Sequence, residues 1–252
     1  MIEIRDLTFT YDDGPPAIRD VDLEIAADET LALMGPNGAG KTTLLKCIAG
    51  LYEPGSGSIE HLDDTVVGFA PEDPDDGLFA ATVESEVAFF PQNRGMDVSE
   101  RVDAAMADVG ISHLRERVPQ TLSAGEKRLV SVASVLSGDP AVVALDEPTS
   151  GLDGRHVETL GDVVRSLDRT VVLATHDADF ALETADRVAI VADGTVAEIW
   201  PADRLGDPDF DFESVGIRPP GAVQFARNRG WDDAPLTVAE AAARVDQEER
   251  GE

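Results

Sequence analysis

The chain has 252 residues, 42% of them hydrophobic, which suits one large globular domain or one domain with a small appendage. Fifty acidic residues against twenty basic residues give a formal net charge of −30. This charge argues against nucleic acid as a partner, because binding needs clusters of Lys and Arg that displace counterions from phosphates. It argues equally against direct docking on anionic lipid.

The basic residues include only three lysines, at Lys41, Lys46 and Lys127. An acid-rich, lysine-poor composition favours a cytoplasm of very high salt, where the Debye length is ~3 Å at 1 M and self-repulsion is screened. We therefore hypothesise a halophilic protein, with an ordinary acidic protein as the alternative.

The single cysteine, Cys47, excludes an intrachain disulfide and favours an intracellular setting. The first eleven residues alternate and carry charge, unlike a signal peptide. No apolar run approaches the ~18–20 residues of a transmembrane helix. We expect a cytoplasmic chain without direct membrane insertion. If it works at the inner face of the cell membrane, other subunits must span the bilayer.

The first elements in chain order are strands. Residues 2–11 and 17–25 alternate between apolar and polar side chains on either side of DDGPP, which predicts a hairpin-like strand pair. Residues 30–34 form a short apolar run that is followed by glycines and then by TTLLKCIAG, which predicts strand, loop and helix. The segment EPGSGS, from Glu53, predicts a turn.

Helical spacing dominates from residue 80 to 137, which predicts a mostly helical insertion. The β-branched apolar runs at 141–145, 170–174 and 187–191 alternate with helical stretches and predict buried strands of a parallel sheet. We expect a main domain over residues 1–200. Residues 201–252 are expected to form a small separate unit, with a turn at 219–221 and a helix around 237–245.

The glycine-rich stretch fits G-x-x-x-x-G-K-[ST] between a predicted strand and a predicted helix, which is the context of a phosphate-binding loop. Glycines let backbone N–H groups turn toward phosphates, and the helix aims its positive end at the same anion. Lys41 is expected to reach the β- and γ-phosphates, and the Thr42 hydroxyl to bind Mg²⁺. The residues predicted to bind the nucleotide here are Gly35, Pro36, Asn37, Gly38, Ala39, Gly40, Lys41, Thr42 and Thr43.

Two adjacent acids, Asp146 and Glu147, follow the apolar run AVVAL. At the end of a strand beside a phosphate site, Asp146 is positioned to hold Mg²⁺ directly or through water. A second carboxylate beyond the metal ligand costs like-charge repulsion, which indicates a general base or a group that orients water. The alternative is a pair of solvated loop acids.

In these and the following motifs, the sequence resembles the ATP-binding-cassette ATPases over roughly residues 1–200. LSAGEKR at 122–128 resembles the signature LSGGQ, SGLD at 150–153 resembles the D-loop, and THD at 175–177 resembles the switch-histidine loop. Tyr11 lies where the family's adenine-stacking aromatic lies. The resemblance implies an α/β fold, with a P-loop NTPase core, an antiparallel β subdomain, the helical insertion and the C-terminal unit.

Within that family, PEDPDDGLFAATVESEVAFFPQN, from Pro71, is similar to a stretch of the ATPase subunits of energy-coupling-factor importers and their cobalt and nickel relatives. The segment SVGIRPPGAVQFARNRGW resembles the same group. This implies ATP hydrolysis that drives import of a metal ion or vitamin-like small molecule through separate integral membrane subunits. The helical insertion and the Glu72 loop would face those subunits.

The family resemblance also implies roles for individual residues. Ser123 and Gly125 would bind the γ-phosphate of ATP held by a second ATPase subunit, identical or different. His176 would contact the γ-phosphate, and Glu147 would activate water. Tyr11 would stack on adenine, with a plain core position in the strand as the alternative.

The sequence departs from the family pattern at four positions, one of them Gly77, which stands where the family has a later glutamine. Glu72 stands where the family has the Q-loop glutamine, and we predict that it faces Mg²⁺, with a solvent-facing position as the alternative. Ala124 and Glu126 replace a glycine and the glutamine of the signature. A non-transport ATPase of the same family and a weakly hydrolysing regulatory subunit remain as alternative functions.

Overall fold

A computed structural model describes residues 1–12, 14–61, 65–207, 209–231 and 238–250, without the side chains of 238, 239 and 248–250. Its strands form a three-stranded sheet in the order β2-β1-β4 and a six-stranded sheet in the order β5-β6-β7-β3-β8-β9. The strands are β1 (Ile2–Thr10), β2 (Pro16–Ile25), β3 (Thr30–Met34), β4 (Ser56–His61), β5 (Val67–Ala70), β6 (Val142–Asp146), β7 (Thr170–Ala174), β8 (Arg187–Ala192) and β9 (Thr195–Pro201).

The helices are α1 (Lys41–Ile48), α2 (Val83–Val87), α3 (Phe89–Asn93), α4 (Val98–Asp108), α5 (Ala124–Ser137), α6 (Gly154–Ser166), α7 (Ala178–Thr184), α8 (Gly221–Arg229) and α9 (Val238–Arg250). None of the described helices is both long enough and apolar enough to span a bilayer.

The small sheet is antiparallel. The predicted pair β1 and β2 forms, with Ile4 opposite Leu23, and both side chains are buried on the same face. The segment predicted as a turn from Glu53 ends inside a third strand, because β4 begins at Ser56 and pairs with β1. Gly57 explains the glycine content there: its φ is 84°, and a Cβ would lie 2.4 Å from the carbonyl oxygen of Asp6.

The large sheet carries the site. β3 lies between β7 and β8, with parallel pairing on both sides, and β6 adds to β7 in the same direction. Every residue of β3, β6 and β7 is buried, as continuous apolar runs in a parallel sheet predict. Because parallel strands end at the same edge, the residues after β3, β6 and β7 meet there.

The insertion near 80–137 is helical, as expected, and α5 is the helix against which its other helices pack. The last eleven residues of α5 are mostly buried, and α2, α3 and α4 pack against them. On the outside of this bundle, Phe79, Phe89 and Phe90 remain exposed in edge-to-face contact.

The C-terminal residues contribute to the main core. Phe210, Phe212, Ile217 and Val223 belong to the same buried cluster as Met34 on β3. The helices α8 and α9 pack against each other. The predicted helix at 237–245 begins at a residue outside the described part of the chain, and α9 extends it to Arg250. A domain boundary at residue 200 stays a prediction.

Candidate active site

The loop between β3 and α1 has a backbone that glycine alone can adopt. Gly35 has φ of 144°, and a Cβ there would lie 2.1 Å from the Val191 carbonyl oxygen. Gly40 has φ of 108°, and a Cβ would lie 2.8 Å from the side chain of Ile18. The N-cap residue of α1 is Gly40, which has no side chain of its own to cap the helix, so the first amides of α1 are available to an anion.

Lys41 is buried in this loop, with 7% of its surface exposed. Its Nζ donates to the carbonyl oxygens of Gly35 at 2.9 Å and Pro36 at 3.2 Å. Burial lowers the pKa of Lys41, while the charges of Glu147, Asp146 and Glu72 oppose that shift. The ammonium is therefore a desolvated cation surrounded by acids, well suited to a polyphosphate.

Thr42 and Asp146 meet across the strand edge, where the Thr42 hydroxyl donates to Asp146 Oδ1 at 2.8 Å. Asp146 ends β6 and is 3% exposed. Burial raises the pKa of Asp146, the hydrogen bond from Thr42 opposes this, and the charges of Glu72 and Glu147 add to it. A hydroxyl and a buried carboxylate are oxygen ligands of the kind that a hard cation prefers.

Glu147 and His176 form a direct pair. Glu147 Oε2 lies 2.8 Å from Nδ1 of His176 and accepts from the backbone N–H of His176 at 3.3 Å. The Glu147 carboxylate is 9% exposed and the His176 imidazole 63% exposed, so the pair joins a buried carboxylate to an accessible ring. Glu147 has φ of 43°, an unusual value for a non-glycine residue, and its N–H is held by the Ala174 carbonyl at 2.7 Å.

Tyr11 lies at the mouth of the loop. Its hydroxyl is 2.9 Å from the Thr43 hydroxyl, and 46% of the residue is exposed. Phe9 and Tyr52 pack against it edge to face, at 4.9 Å and 5.7 Å between ring centroids. The exposed ring leaves room for a stacked base. Tyr52 supports this ring and was not predicted, because no motif in the sequence points to it.

These groups enclose one cavity of about 510 Å³. Its lining consists of Tyr11, Ala17, Asn37, Gly38, Gly40, Lys41, Thr42, Thr43, Glu72, Glu147 and His176. Glu72 is exposed and lies in this wall, and its orientation toward Mg²⁺ stays a prediction. Asp146 borders a neighbouring cavity that Thr42 and Glu72 also line. Ala39 is buried in the core beneath the loop.

Ser123 and Gly125 line neither cavity. Ser123 caps α5 in a capping box with Glu126, whose carboxylate accepts from the Ser123 N–H at 2.8 Å. The ring of His156 covers Gly125, and a Cβ there would lie 3.0 Å from Nδ1. Ala124 begins the helix, where an alanine fits without strain. Ser123 and Gly125 thus lie outside both cavities, whereas Ala124 between them borders the second cavity together with Thr42.

Arg128 was not among the predicted site residues, yet it contacts the loop that carries Glu72. It is 2% exposed, and its guanidinium donates to the carbonyl oxygens of Pro71 and Glu72. The signal available beforehand was a charged residue on the apolar face of a helix, which is rarely buried unless it is paired.

Comparison with known proteins agrees with this geometry. Residues 18–150 match the ABC transporter family. The chain is 37% identical to the energy-coupling factor transporter ATP-binding protein EcfA of Methanothermobacter thermautotrophicus, over 95% of this chain and 85% of that protein.

Among solved structures, CbiO1 of Clostridium perfringens, part of the ABC transporter complex CbiONQ, aligns with a TM-score of 0.72 and 31% identity, covering 81% of this chain and 89% of that one. The ATP-binding cassette MJ0796, as a post-hydrolysis dimer bound to ADP and Pi, aligns with a TM-score of 0.72 and 25% identity, covering 80% and 99%.

The chain belongs to the ABC transporter family as an ATP-binding subunit, with the fold and ATP hydrolase activity of that family. The predicted fold class and family are thereby confirmed.

Proposed function

We propose that this chain is the ATPase subunit of an energy-coupling-factor type importer, which drives uptake of a metal ion or vitamin-like molecule through separate membrane subunits. The observation that carries the proposal is the single cavity lined by Lys41, Thr42, Glu147 and His176. The names of two similar proteins, EcfA and CbiO1 of the CbiONQ complex, support the importer subtype.

Mg²⁺ fits the oxygen atoms at this strand edge. The Thr42 hydroxyl and the Asp146 carboxylate lie 2.8 Å apart, and Glu72 borders the same space. The excess of buried and nearby negative charge is what a divalent cation would offset. When bound, Mg²⁺ neutralises charge on the phosphate oxygens. Thr42, Asp146 and Glu72 are the residues that we assign to hold it.

The residues divide the work of hydrolysis. The loop amides and Lys41 bind the β- and γ-phosphates of ATP, and the Tyr11 ring stacks on adenine. Glu147 accepts a proton from the attacking water, and its low exposure keeps that carboxylate poorly hydrated. His176, whose Nδ1 lies 2.8 Å from Glu147 Oε2, contacts the γ-phosphate.

A second ATPase subunit, identical or different, completes the site. The capping box at the N-terminus of α5 uses the N–H groups of Ser123 and Glu126, which leaves those of Ala124 and Gly125 for an anion, and Ser123 lies outside the cavity that Lys41 lines. We infer that Ser123 and Gly125 contact ATP held by the partner subunit. The dimeric form of the similar cassette MJ0796 supports this arrangement.

An aromatic patch marks the proposed contact with the membrane subunits. Phe79, Phe89 and Phe90 are 65%, 39% and 40% exposed, with ring centroids 4.9 Å and 5.5 Å apart. Buried Glu86 fixes the patch by accepting from the N–H groups of Phe79 and Ala80 at 2.9 Å and 2.7 Å. A chain of charge −30 is repelled by anionic lipid, so a protein partner at the inner face of the membrane suits this patch better.

The test is co-purification of the tagged chain from native membranes at high salt, with its partners identified by mass spectrometry. We expect a multi-span membrane protein and a second ATPase subunit. Phe79→Ser should lose the membrane protein but keep ATP binding, while Phe225→Ser, at a 37% exposed ring on α8, should retain both. Recovery of the chain with no membrane-spanning partner would contradict the proposed function. Equal recovery of the membrane protein with both variants would contradict the proposed contact at the aromatic patch.

A further inference from the structure

The signature helix α5 holds the loop that carries Glu72. Arg128 lies in the second turn of α5, and its two terminal nitrogens donate to the carbonyl oxygens of Pro71 and Glu72. One residue earlier on the helix, Lys127 Nζ lies 2.6 Å from Asp75 of the same loop. Both basic residues of this turn are thus used on the segment 71–76.

Arg128 is the stronger of the two links. Its residue is 2% exposed, whereas Asp75 of the Lys127 pair is 56% exposed in its side chain. A buried guanidinium forms charge-assisted hydrogen bonds that an exposed ion pair cannot match. In the described part of the chain its Nε has no partner, so all of its paired nitrogens serve the loop.

Arg128 also lies between the two ends of the catalytic arrangement. It is five residues from the Ser123 cap, about 7.5 Å along a continuous helix. It borders the cavity that Thr42, Glu72 and Asp146 line. A helix moves as a rigid rod, so a shift at Ser123 displaces the guanidinium and the two carbonyls that it holds.

We propose that Arg128 is a positioning residue. It holds Glu72 at the wall of the cavity, so that the position of Glu72 changes when the signature helix α5 moves. The inference rests on the proposed function, in which Ser123 meets the partner's nucleotide and Glu72 faces Mg²⁺. When α5 contacts the nucleotide of the partner subunit, Arg128 then positions Glu72 in the ATP site of the chain that contains both residues. The state of one ATP site is thereby linked to the state of the other.

The first experiment measures the hydrogen-exchange rates of the backbone amides in segment 71–77, in the full chain without nucleotide. Arg128→Met keeps length and removes both hydrogen bonds, and we expect exchange about tenfold faster there. Arg128→Lys keeps the charge and should give an intermediate rate, and it serves if the Met variant does not fold. Arg165→Met, at an exposed residue paired with Asp162 at 2.6 Å, is the matched control and should leave the segment unchanged.

The second experiment measures ATPase activity against Mg²⁺ in the purified complex. Glu72→Gln should require more Mg²⁺ for half-maximal activity and turn over at least as fast when saturated. Arg128→Met should raise the Mg²⁺ requirement in the wild-type background and add less than about twofold in the Glu72→Gln background, since linked residues are not additive. ATP affinity should stay within about twofold, because the phosphate loop is untouched.

Unchanged exchange of segment 71–77 in both Arg128 variants would overturn the inference. Equal effects of Arg128→Met on Mg²⁺ dependence with and without Glu72→Gln would also overturn it, because the effect would then not pass through Glu72. Faster exchange together with no effect of Glu72→Gln would refute the proposed role of Glu72, while Arg128 would keep its role in holding the loop.

Discussion

Replacement of Glu147 by glutamine isolates the proton-accepting step from nucleotide binding. Glutamine has the same size and can accept the backbone N–H of His176, now 3.3 Å from Glu147 Oε2. Its amide cannot take a proton from water. The positions of Lys41 and Thr42, to which we assign phosphate and metal binding, depend on other contacts. We therefore expect a variant that binds ATP and does not turn it over.

The expected size of the loss follows from the role of a positioned base. General-base catalysis contributes about 10²–10⁴-fold in rate, which is about 2.7–5.4 kcal/mol of the activation barrier. The upper part of that range suits Glu147, because its carboxylate is 9% exposed and water has little access to replace it. ATP affinity should be equal to wild type or somewhat tighter, since a negative charge near the γ-phosphate has been removed.

The assay is steady-state phosphate release by the purified complex at saturating Mg²⁺ and ATP, with equilibrium ATP binding measured on the same sample. Glu158→Gln, on the exposed face of α6, makes the same chemical change away from the cavity and should keep the wild-type rate. Phosphate release by Glu147→Gln within about threefold of wild type would refute the assignment of Glu147 as the base.

Three further changes test other parts of the site and the surface. Lys41→Ala should weaken equilibrium ATP binding by about a hundredfold or more, because it removes the buried cation that we assign to the phosphates. Wild-type affinity would contradict the phosphate-loop assignment. Burial raises the pKa of Asp146, so its negative charge costs folding energy above that pKa. At neutral pH and without nucleotide, Asp146→Asn should therefore melt at the same or a higher temperature, with a rise of about 2–4 °C for each kcal/mol gained in the free energy of unfolding. The same variant should lose turnover. A lower melting temperature would contradict this reasoning. The melting temperature of the wild-type chain should fall between about 2 M and 0.1 M KCl, as the Debye length grows to ~10 Å and the net charge of −30 is less screened, and a flat or rising curve would refute the halophilic hypothesis.

Local motifs were predictable because backbone geometry dictates them. The glycine spacing in the loop reflects positions such as Gly35 and Gly40, where any Cβ collides with neighbouring atoms. The buried strands β3 and β7 were readable because continuous apolar runs have few other stable placements in an α/β protein. The wider identification depended on resemblance to a family, since several motifs have meaning only together.

Contacts between distant segments were not predictable in the same way. Glu147 and His176 are 29 positions apart and meet only because β6 and β7 are neighbours in the sheet. The strands β5 and β9 are short or partly exposed edges with weak patterns, and they were missed. The hold of Arg128 on the Glu72 loop spans 56 positions and uses main-chain oxygens, which no side-chain pattern reveals.

The most direct test of the proposed two-subunit site is an experimental structure of Glu147→Gln with Mg²⁺ and ATP at high salt. We predict a dimer in which Lys41 and Thr42 of one subunit contact the triphosphate, Asp146 lies at the metal, and Ser123 and Gly125 of the partner close on the γ-phosphate. A nucleotide bound without contact to Lys41, or a dimer whose signature helices lie far from the γ-phosphates, would contradict the proposed site.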